Sequence, residues 1–369
     1  MKILIAAGGS GGHIFPAIAL KRTLGSRGSC EIKFVGADKA IDRRIFEKEG
    51  VAFSLLSANK LPYRMSPAII LFFIGLFLDS VKALWITAAF RPTCCVGFGG
   101  YVSFPVMLSA KLLRVPTVVH EQNVVPGRAN KILFSLADKV ALSFKDTILH
   151  IPSDQKNKVS VTGNPIRTGD LKNSDKAAAL KSFGLDGAKF TVLVIGGSQG
   201  AHVLNENFVR SISHMEERVK AGLQIIHLTG VKDYEWAVAQ YSRIFPADSA
   251  ARAYSFIDRI EDAYSAADLI VTRAGASALF EVAYFGKAMI VVPYPYAMSH
   301  QLENAHAFSS RGGAVEIEEK DLSESFFKDT IEGFLKDRSK LEALGQAAKA
   351  LSAPYASDRL ADIVTGGLK

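Results

Sequence analysis

Cysteine is scarce in this chain, and its few cysteines do not suit metal binding. Cys94 and Cys95 are adjacent and Cys30 stands apart, so the three cysteines provide neither a paired disulfide framework nor the spacing of a zinc site. The sequence also lacks an Asp-x-Asp pair, which would offer carboxylates to a metal-bound nucleotide diphosphate. The unpaired cysteines favour a reducing cytosol. The missing Asp-x-Asp pair indicates that positive charge and helix dipoles, rather than a metal, would neutralise a bound phosphate.

Two further absences bear on location and on partners. The uninterrupted apolar run before the first glycine of MKILIAAGG is five residues long, too short for a signal peptide, so this opening predicts a first β-strand. The net charge of +8 favours anionic partners. No dense basic run with interleaved aromatic residues occurs, so the excess charge indicates phosphates or an acidic bilayer rather than nucleic acid.

The chain has one long apolar run, and its composition does not decide whether it crosses a bilayer. Residues 68–90 contain only two charges, Asp79 and Lys82. A bilayer span needs about 20 mostly apolar residues, so the run is long enough. Its strongly apolar residues contribute roughly −0.3 to −0.6 kcal/mol each, and its charges cost roughly +2.5 to +3.5 kcal/mol each. The summed free energy of membrane insertion is therefore close to zero and does not decide the question.

Short apolar, β-branched runs alternate with helical patterns along most of the chain. Runs of this kind without polar alternation are typical of parallel strands that are buried on both faces. Their alternation with helices predicts an α/β protein with doubly wound sheets. A bilayer span at 68–90 would separate strands of one sheet, so we interpret that segment as part of the first domain. The predicted strands are 2–7, 31–37, 93–99, 117–121, 139–144, 191–197, 223–230, 269–275 and 289–295.

A glycine-rich loop occurs twice, about half a chain apart. KILIAAGGSGGH (2–13) and TVLVIGGSQGAH (191–202) both have the pattern of a strand, a GGS turn and the start of a helix. The repeat predicts two Rossmann-like domains within the 369 residues. We expect them at 1–162 and 163–344, with a C-terminal helix at about 345–369 that packs back on the first domain.

The first glycine loop, GGSGGH (8–13), has the composition of an anion-binding turn. Its glycines let backbone N–H groups approach an anion at a helix N-terminus, where the helix dipole also favours negative charge. The dinucleotide fingerprint GxGxxG is not satisfied, because Ile14 occupies the third glycine position. A tight turn without a ligand would have the same composition. His13, at the start of the helix, is either a general base or a capping side chain.

Other motifs place polar side chains after predicted strands, where α/β sheets bind ligands. GGSQGA (196–201) offers a second anion cradle, and the carboxylate of Glu281 suits the hydroxyls of a ribose. Arg167 is available to a diphosphate, although an exposed loop arginine would have the same sequence. The remaining motifs are HEQN (120–123), GNPIR (163–167), TRAGASALFE (272–281) and HQLENA (300–305).

Taken together, the motifs resemble those of the MurG family, the bacterial N-acetylglucosaminyltransferases that convert lipid I to lipid II in peptidoglycan synthesis. GGSGGHIFPA, GGYVSFP, HEQN, GNPIR, GGSQGA, RAGASALFE and HQLENA occur in the family's order between residues 3 and 306. The resemblance implies a GT-B fold, in which two Rossmann-like doubly wound domains face a cleft. It also implies an inverting hexosyltransferase without a cofactor or a metal. The donor would be UDP-GlcNAc, and the acceptor the C4 hydroxyl of MurNAc in lipid I.

The resemblance also implies roles for individual residues. His13 is the candidate base for the acceptor hydroxyl. Arg167 and Ser198 would hold the phosphates, Asn123 would contact the GlcNAc, and Glu281 would bind the ribose. The other donor-site residues are Ser10, Gly11 and Gly12 near the diphosphate and sugar, Phe256 and Ile257 at the uracil, Ala276, Ser277, Ala278, Leu279 and Phe280 at the nucleotide, and Gln301 and Asn304 at the sugar.

The resemblance connects the apolar run with a membrane-bound acceptor. It implies a peripheral enzyme on the cytoplasmic face of the bacterial plasma (inner) membrane, with an anionic membrane surface as partner. The family's role in cell-wall synthesis, cell shape and division makes the corresponding machinery a candidate partner. Basic residues beside the run suit anionic headgroups, namely Lys60, Arg64, Lys82 and Arg91. The side chains that we expect to enter the leaflet are Phe72, Phe73, Leu76 and Phe77.

Three alternatives remain open from the sequence. Another GT-B enzyme, such as a UDP-GlcNAc 2-epimerase or a glycolipid transferase, would share the donor site without needing GGYVS, HEQN or an apolar surface. An NAD(P)-dependent oxidoreductase or another nucleotide-binding protein would use the first Rossmann unit, but the missing third glycine and the second GGS loop argue against it. A membrane-associated scaffold with a degenerate site is disfavoured because His13, Arg167, Glu281 and Gln301 are retained.

Overall fold

The computed structural model forms two compact units. The N-terminal unit comprises Met1–Arg167 together with Ala353–Lys369, and the C-terminal unit comprises Thr168–Ser352. Each unit has a parallel sheet of its own and buried apolar clusters packed against it. The residues that the structure describes are 1–59, 68–167, 175–196, 200–245, 250–295 and 300–366.

The N-terminal unit is built on one parallel sheet. Its strands are β1 (Lys2–Ala6), β2 (Glu31–Ala37), β3 (Ala52–Leu56), β4 (Cys94–Gly97), β5 (Thr117–Glu121), β6 (Lys139–Leu142) and β7 (Val159–Val161). In the described residues the order is β3-β2-β1-β4-β5-β6-β7. The central strands β4 and β5 are buried throughout, as expected of parallel strands covered on both faces.

Helices connect these strands. They are α1 (Gly11–Ser26), α2 (Ala40–Lys48), α3 (Ala68–Phe90), α4 (Gly100–Leu112) and α5 (Arg128–Leu136), with 3₁₀ helices at Lys145–His150 and Ser153–Lys158. Helices α1 and α4 begin within a few residues of the glycine-rich ends of β1 and β4. Their N-termini therefore lie at the carboxyl edge of the sheet.

The apolar helix α3 connects two strands that belong to the same sheet. The strands before and after α3 are β3 and β4, which lie in the same sheet with β2 and β1 between them. Within the described residues, α3 alone has the length and composition to cross a membrane, and only 17% of its most apolar window is buried. The sheet pairing agrees with our interpretation of this segment as part of the first domain.

The C-terminal unit has a second parallel sheet. Its strands are β8 (Phe190–Ile195), β9 (Leu223–Leu228), β10 (Ala251–Tyr254), β11 (Leu269–Thr272), β12 (Ala288–Val291) and β13 (Val315–Glu316). In the part of the chain that the structure describes, their order is β10-β9-β8-β11-β12-β13. The helices are α6 (Lys176–Ser182), α7 (His202–Ser213), α8 (Glu217–Ala221), α9 (Tyr234–Ile244), α10 (Ile260–Ala266), α11 (Ala276–Phe285), α12 (His300–Ser309), α13 (Phe326–Lys336) and α14 (Arg338–Ala350), with a 3₁₀ turn at Glu319–Asp321.

The last helix, α15 (Ala356–Gly366), packs within the N-terminal unit. Leu360 and Val364 are fully buried in the same apolar cluster as α1. Arg27, which follows α1, donates to Asp358 at 2.7 Å and to Asp362 at 2.6 Å. Exposed ion pairs of this kind stabilise little, so the apolar packing is the main attachment of α15.

Each sheet has one point at which its winding reverses. In the N-terminal unit this point lies between β1 and β4, and in the C-terminal unit it lies between β8 and β11. Doubly wound sheets bind ligands outside the carboxyl ends of the strands at such a switch point. The loops after these four strands are therefore the candidate ligand-binding loops.

Candidate active site

The loop after β1 is drawn tightly against β2 by a buried carboxylate. Asp42 is fully buried and accepts hydrogen bonds from the backbone N–H of Gly9 at 2.9 Å and of Ala37 at 2.8 Å. A Cβ atom at Gly8 would lie 2.5 Å from this carboxylate, so only glycine fits there. Ser10 is the N-cap of α1, and its side chain is exposed. The turn thus leaves the first N–H groups of α1 available to an anion.

His13 lies in the first turn of α1, and its ring bends back over this loop. Its Nδ1 lies 3.1 Å from the carbonyl oxygen of Gly8. Because a carbonyl can only accept, Nδ1 carries the proton, and in the neutral ring the basic lone pair is on Nε2. The ring rests against the loop after β4, where a Cβ atom at Gly99 would lie 3.4 Å from Nε2 and one at Gly100 3.3 Å from Nδ1. The GGYVS glycines therefore make room for the imidazole.

The HEQN motif ends β5 and folds around a second buried carboxylate. Oε1 of Glu121 accepts from the backbone N–H of Asn123 at 2.9 Å and from its Nδ2 at 3.1 Å. Oε2 accepts from the N–H of Gly127 at 3.0 Å and from Nδ2 of Asn130 at 2.8 Å. Asn130 also borders the loop after β4, since a Cβ atom at Gly99 would lie 3.2 Å from its Nδ2. Glu121 therefore fixes Asn123 and connects it to the loop that contacts His13.

His120 is structural. It is fully buried, and burial lowers the pKa of its imidazole to about 4, so the ring is neutral near pH 7. Nε2 lies 3.3 Å from the carbonyl of Gly163, and Nδ1 lies 3.0 Å from Nε2 of Gln122. A ring that donates from Nε2 and accepts at Nδ1 satisfies both contacts. His120 thus anchors the start of the GNPIR segment to β5.

Arg167, at the end of that segment, is placed beside α1. Its guanidinium stacks on the ring of Phe15, with Cζ 4.7 Å from the ring centroid, and the side chain is half-buried. Phe15 lies two residues beyond His13. The arrangement differs from that of a free loop arginine, because stacking on Phe15 fixes the plane of the guanidinium.

The glycine loop after β8 is packed as closely as the one after β1. A Cβ atom at Gly196 would lie 2.6 Å from the backbone nitrogen of Ala201, and one at Gly200 would lie 2.5 Å from the carbonyl of Thr229. Gly200 also has a φ of +77°, which a residue with a Cβ rarely adopts. Ser198, which we predict to hold a phosphate, lies outside the described residues.

The loop after β11 leads directly into α11, whose N-cap is Gly275. Ala276, Leu279 and Phe280 are buried, whereas Ser277 and Ala278 are partly exposed at the start of the helix. Glu281 is 8% exposed, and its Oε2 accepts from the hydroxyl of Tyr264 at 2.9 Å. The Glu281 carboxylate is therefore held in one orientation.

Gln301 and Asn304, on α12, are both bound to the loop after β11. Oε1 of Gln301 accepts from the N–H of Ala274 at 3.1 Å and of Tyr294 at 3.0 Å, which leaves its Nε2 as the donor that a ligand can use. Asn304 is fully buried and donates Nδ2 to the Ala274 carbonyl at 3.1 Å. The contact of Asn304 with the sugar stays a prediction; in this structure its side chain holds the loop after β11.

Three further residues of the C-terminal unit lie in the loops after its strands. Phe256 follows β10 and is 59% exposed, while Ile257 is partly buried. An exposed aromatic ring at the carboxyl edge of a sheet is available to stack on a base. Arg273, which we did not single out from the sequence, is buried, pairs with Glu319 and donates to the carbonyl of Val292 at 3.3 Å. Arg273 joins the loops after β11 and β12. Its place in the RAGAS motif is the sequence feature that could have identified it as part of the site.

The residues that we predict for membrane contact divide into two pairs. Phe73 and Phe77 are 58% and 67% exposed. Phe72 and Leu76 are half-buried and line a small cavity with Tyr101. The exposed apolar face continues along α3 well beyond these residues, through Ile70, Leu71, Ile74, Leu78, Val81, Leu84 and Trp85.

The fold and these loops define a class of protein before any comparison is made. Each unit has a doubly wound parallel sheet with a glycine loop and helix N-termini at its switch point. That architecture is the α/β fold of the GT-B glycosyltransferases, as we predicted.

Comparisons with known proteins identify the family. Residues 3–142 match the glycosyltransferase family 28 N-terminal domain, and residues 191–360 match its C-terminal domain. A relative from Halothermothrix orenii is 34% identical over 99% of this chain and 98% of its own length. That relative is named UDP-N-acetylglucosamine--N-acetylmuramyl-(pentapeptide) pyrophosphoryl-undecaprenol N-acetylglucosamine transferase.

Solved structures support the same family assignment. The crystal structure of MurG from Acinetobacter baumannii superimposes with a TM-score of 0.77 at 26% identity, covering 99% of both chains. A UDP-GlcNAc 2-epimerase from Neisseria meningitidis has a TM-score of 0.72 at 12% identity, covering 99% of this chain and 100% of its own, and shares the fold alone. The chain belongs to the MurG family of glycosyltransferases, and the predicted resemblance is confirmed.

Proposed function

We propose that this enzyme transfers GlcNAc from UDP-GlcNAc to the C4 hydroxyl of MurNAc in lipid I, which gives lipid II for peptidoglycan synthesis. The observation that carries the proposal is the orientation of His13. Its Nδ1 lies 3.1 Å from the carbonyl of Gly8, so the basic lone pair of the neutral ring is on Nε2, which we propose as the base. The full-length likeness to a relative named for this transfer supports the choice of substrates.

The proposed reaction is a single displacement with inversion. The C4 oxygen of the acceptor attacks the anomeric carbon of GlcNAc while Nε2 of His13 takes the hydroxyl proton. The bond from the anomeric carbon to the β-phosphate oxygen breaks, and UDP leaves with the electron pair. A positioned general base contributes about 10²–10⁴-fold to such a step.

Charge that develops on the departing UDP needs neutralisation in the same step. We propose that Arg167, stacked on Phe15, donates to the diphosphate. Backbone N–H groups at the starts of α1, α7 and α11 supply further positive potential, together with the Ser198 hydroxyl. Ser10, Gly11 and Gly12 form the first of these turns.

The remaining donor contacts in the proposal follow from the fixed side chains. Phe256, with Ile257 beside it, stacks on the uracil, and Glu281 binds the ribose hydroxyls with the carboxylate that Tyr264 orients. Asn123 and Nε2 of Gln301 bind the GlcNAc hydroxyls. Asn304, which holds the Ala274 loop, is the other residue that we propose at the sugar.

The test is transfer of labelled GlcNAc from UDP-GlcNAc to a lipid I analogue by the purified protein, followed by identification of the disaccharide product. We expect His13→Ala to lower kcat by about 10²-fold or more, with UDP binding unchanged. The matched control is His150→Ala, an exposed histidine of the same unit, which should keep wild-type kcat. Wild-type protein that binds UDP but transfers nothing, or a near-normal kcat for His13→Ala, would contradict the proposal.

We also propose that α3 attaches the enzyme peripherally to the cytoplasmic face of the plasma membrane. Asp79, its single acidic residue, is buried and accepts from the N–H groups of Ser57 at 2.9 Å and Ala58 at 2.8 Å. The outer face is therefore apolar, with Lys82 as its exposed charge. An apolar helix face with basic residues suits an interfacial position on anionic lipid. Contact with the cell-wall synthesis machinery would follow from this location.

Sedimentation with phosphatidylglycerol vesicles tests the attachment. Full burial of a phenylalanine contributes roughly 1.5–3 kcal/mol, so Phe73→Glu combined with Phe77→Glu should lower vesicle binding by more than about tenfold. Leu149→Glu adds a charge at another exposed apolar residue of the N-terminal unit and should change binding little. Unchanged vesicle binding by the double variant would exclude α3 as the attachment.

A further inference from the structure

A single peptide group joins a buried carboxylate to the proposed base. The N–H of this peptide, which belongs to Gly9, donates to both oxygens of Asp42, at 3.1 and 2.9 Å. Its carbonyl oxygen, which belongs to Gly8, lies 3.1 Å from Nδ1 of His13. The N–H and the C=O of a trans peptide point in opposite directions. The carboxylate and the imidazole therefore bind the two ends of one planar, polarisable group.

The fold around Asp42 is built to hold a carboxylate at this place. The residue lies in the first turn of α2, where the helix dipole favours negative charge. It is fully buried, and its Oδ2 also accepts from the N–H of Ala37 at 2.8 Å. A Cβ atom at Gly8 would lie 2.5 Å from Oδ2 and one at Gly36 would lie 3.3 Å from it, so both glycines leave room for this oxygen. The carboxylate is thus fixed in one position against the glycine loop.

Hydrogen bonds in series strengthen one another. In a protein interior the gain is about 10–30% per bond. A negative charge beside the N–H of Gly9 shifts electron density in the peptide towards the oxygen of Gly8. That oxygen then holds the Nδ1–H of His13 more strongly, which makes Nε2 more basic. The Ser10 hydroxyl lies 3.3 Å from the same Nδ1, so it is the longer of the two contacts, and it carries no charge.

We propose that Asp42 is a positioning residue for the general base and acts on His13 through the Gly8–Gly9 peptide. It fixes the plane of that peptide, which sets the direction of the imidazole. Its charge, transmitted by the peptide, helps Nε2 to take the proton of the acceptor hydroxyl. No proton passes to Asp42, and Nε2 alone receives the one that the acceptor loses. The inference rests on the proposed function, because it requires His13 to be the base.

Steady-state kinetics with UDP-GlcNAc and a lipid I analogue test the inference. Asp42→Asn keeps the shape of the side chain and removes its charge. We expect kcat to fall about tenfold, which is part of the contribution of the base, and the KM for UDP-GlcNAc to change by less than about twofold. The matched control is Asp38→Asn, an exposed carboxylate just before α2 that pairs with Arg43 at 2.7 Å. This control should keep the wild-type kcat.

A double-mutant cycle distinguishes action through His13 from general support of the loop. In a His13→Ala background, Asp42→Asn should lower the remaining activity by less than about twofold, because residues that act as a unit are not additive. If Asp42 only supported the loop, its replacement would lower activity by the same factor in both backgrounds. That result would overturn the inference, and so would a wild-type kcat for Asp42→Asn.

A measurement on the wild-type protein does not depend on whether Asp42→Asn folds. Nitrogen NMR of labelled histidine, with the His13 signals assigned by their loss in His13→Gln, should show the neutral ring protonated on Nδ1. A ring protonated on Nε2 would overturn the inference. Transfer by the wild type with an unchanged rate in Asp42→Asn would overturn the inference alone. Absence of transfer by the folded wild type would overturn the proposed function and, with it, the inference.

Discussion

Replacing Glu121 by glutamine should loosen the loop that carries Asn123. The carboxylate accepts four hydrogen bonds, two at each oxygen, from Asn123, Gly127 and Asn130. In the amide one oxygen becomes an NH₂ group that faces two N–H donors. Two charge-assisted bonds are lost at about 1.5–3 kcal/mol each, so the expected loss of local stability is about 3–6 kcal/mol. That is a large share of the roughly 5–15 kcal/mol that stabilises a typical domain.

Native-state hydrogen exchange is the suitable assay, because a chain with two units need not unfold in one step. Amides of β5 should exchange at least about a hundredfold faster in Glu121→Gln, while those of β8, in the other unit, should be unchanged. Affinity for UDP-GlcNAc should fall more than affinity for UDP, because Asn123 is proposed to contact the sugar. Glu47→Gln, at an exposed site, is the control. Wild-type exchange in β5 would refute this account of the buried network.

Three other predictions concern single features of the two units. In Gly200→Ala the new Cβ would sit at a positive φ and 2.5 Å from a backbone carbonyl. Denaturant unfolding should therefore show the C-terminal unit destabilised by about 2 kcal/mol or more, and UDP should bind more weakly. His120 has a pKa of about 4 when folded and about 6.5 when unfolded, so protons favour the unfolded chain. This histidine alone should lower the free energy of unfolding by about 2 kcal/mol between pH 7 and pH 5. Arg167→Lys keeps the charge but loses the planar stack on Phe15, so the KM for UDP-GlcNAc should rise about tenfold without a change in melting temperature.

Each of these predictions has a control and a contradicting result. Gly187→Ala, where a new Cβ meets nothing within 4 Å, should leave stability almost unchanged; equal losses at both glycines would remove the steric argument. In His120→Gln the fall between pH 7 and pH 5 should shrink, and the remainder should include His227, whose pKa burial lowers to about 3. An unchanged KM in Arg167→Lys would mean that charge alone suffices at this position.

The interior of each sheet could be predicted from the sequence, but its edges could not. The nine predicted strands correspond to β1, β2, β4, β5, β6, β8, β9, β11 and β12. The strands that the pattern missed are β3, β7, β10 and β13, which lie at the edges of the two sheets in the described residues. An edge strand is less completely buried, so it needs no continuous apolar run; all four residues of β10, for example, are only partly buried. Prediction therefore succeeded where burial on both faces constrains composition.

The candidate site shows a similar division between local and long-range information. Glycine loops, and the histidine that follows the first of them, are local patterns, and the structure places them at the switch points as expected. Partnerships such as Asp42 with Gly9, or Asp233 with His202, join residues about thirty positions apart. Nothing in the sequence near either partner indicates the other. The burial of Asn304 has the same origin, because it depends on a carbonyl of a distant loop.

The apolar helix shows why a sum over composition could not decide its position. Such a sum treats Asp79 and Lys82 as equal penalties, whereas the structure places them on different faces. Asp79 lies inward and binds the backbone of Ser57 and Ala58, which fastens α3 to the end of β3. Lys82 lies outward, and in the proposed attachment its long basic side chain would extend to lipid headgroups while its apolar neighbours meet the acyl chains. The outward face is thus far more apolar than the whole helix, and a helix fastened at its middle to a sheet has the geometry of a surface contact rather than of a span.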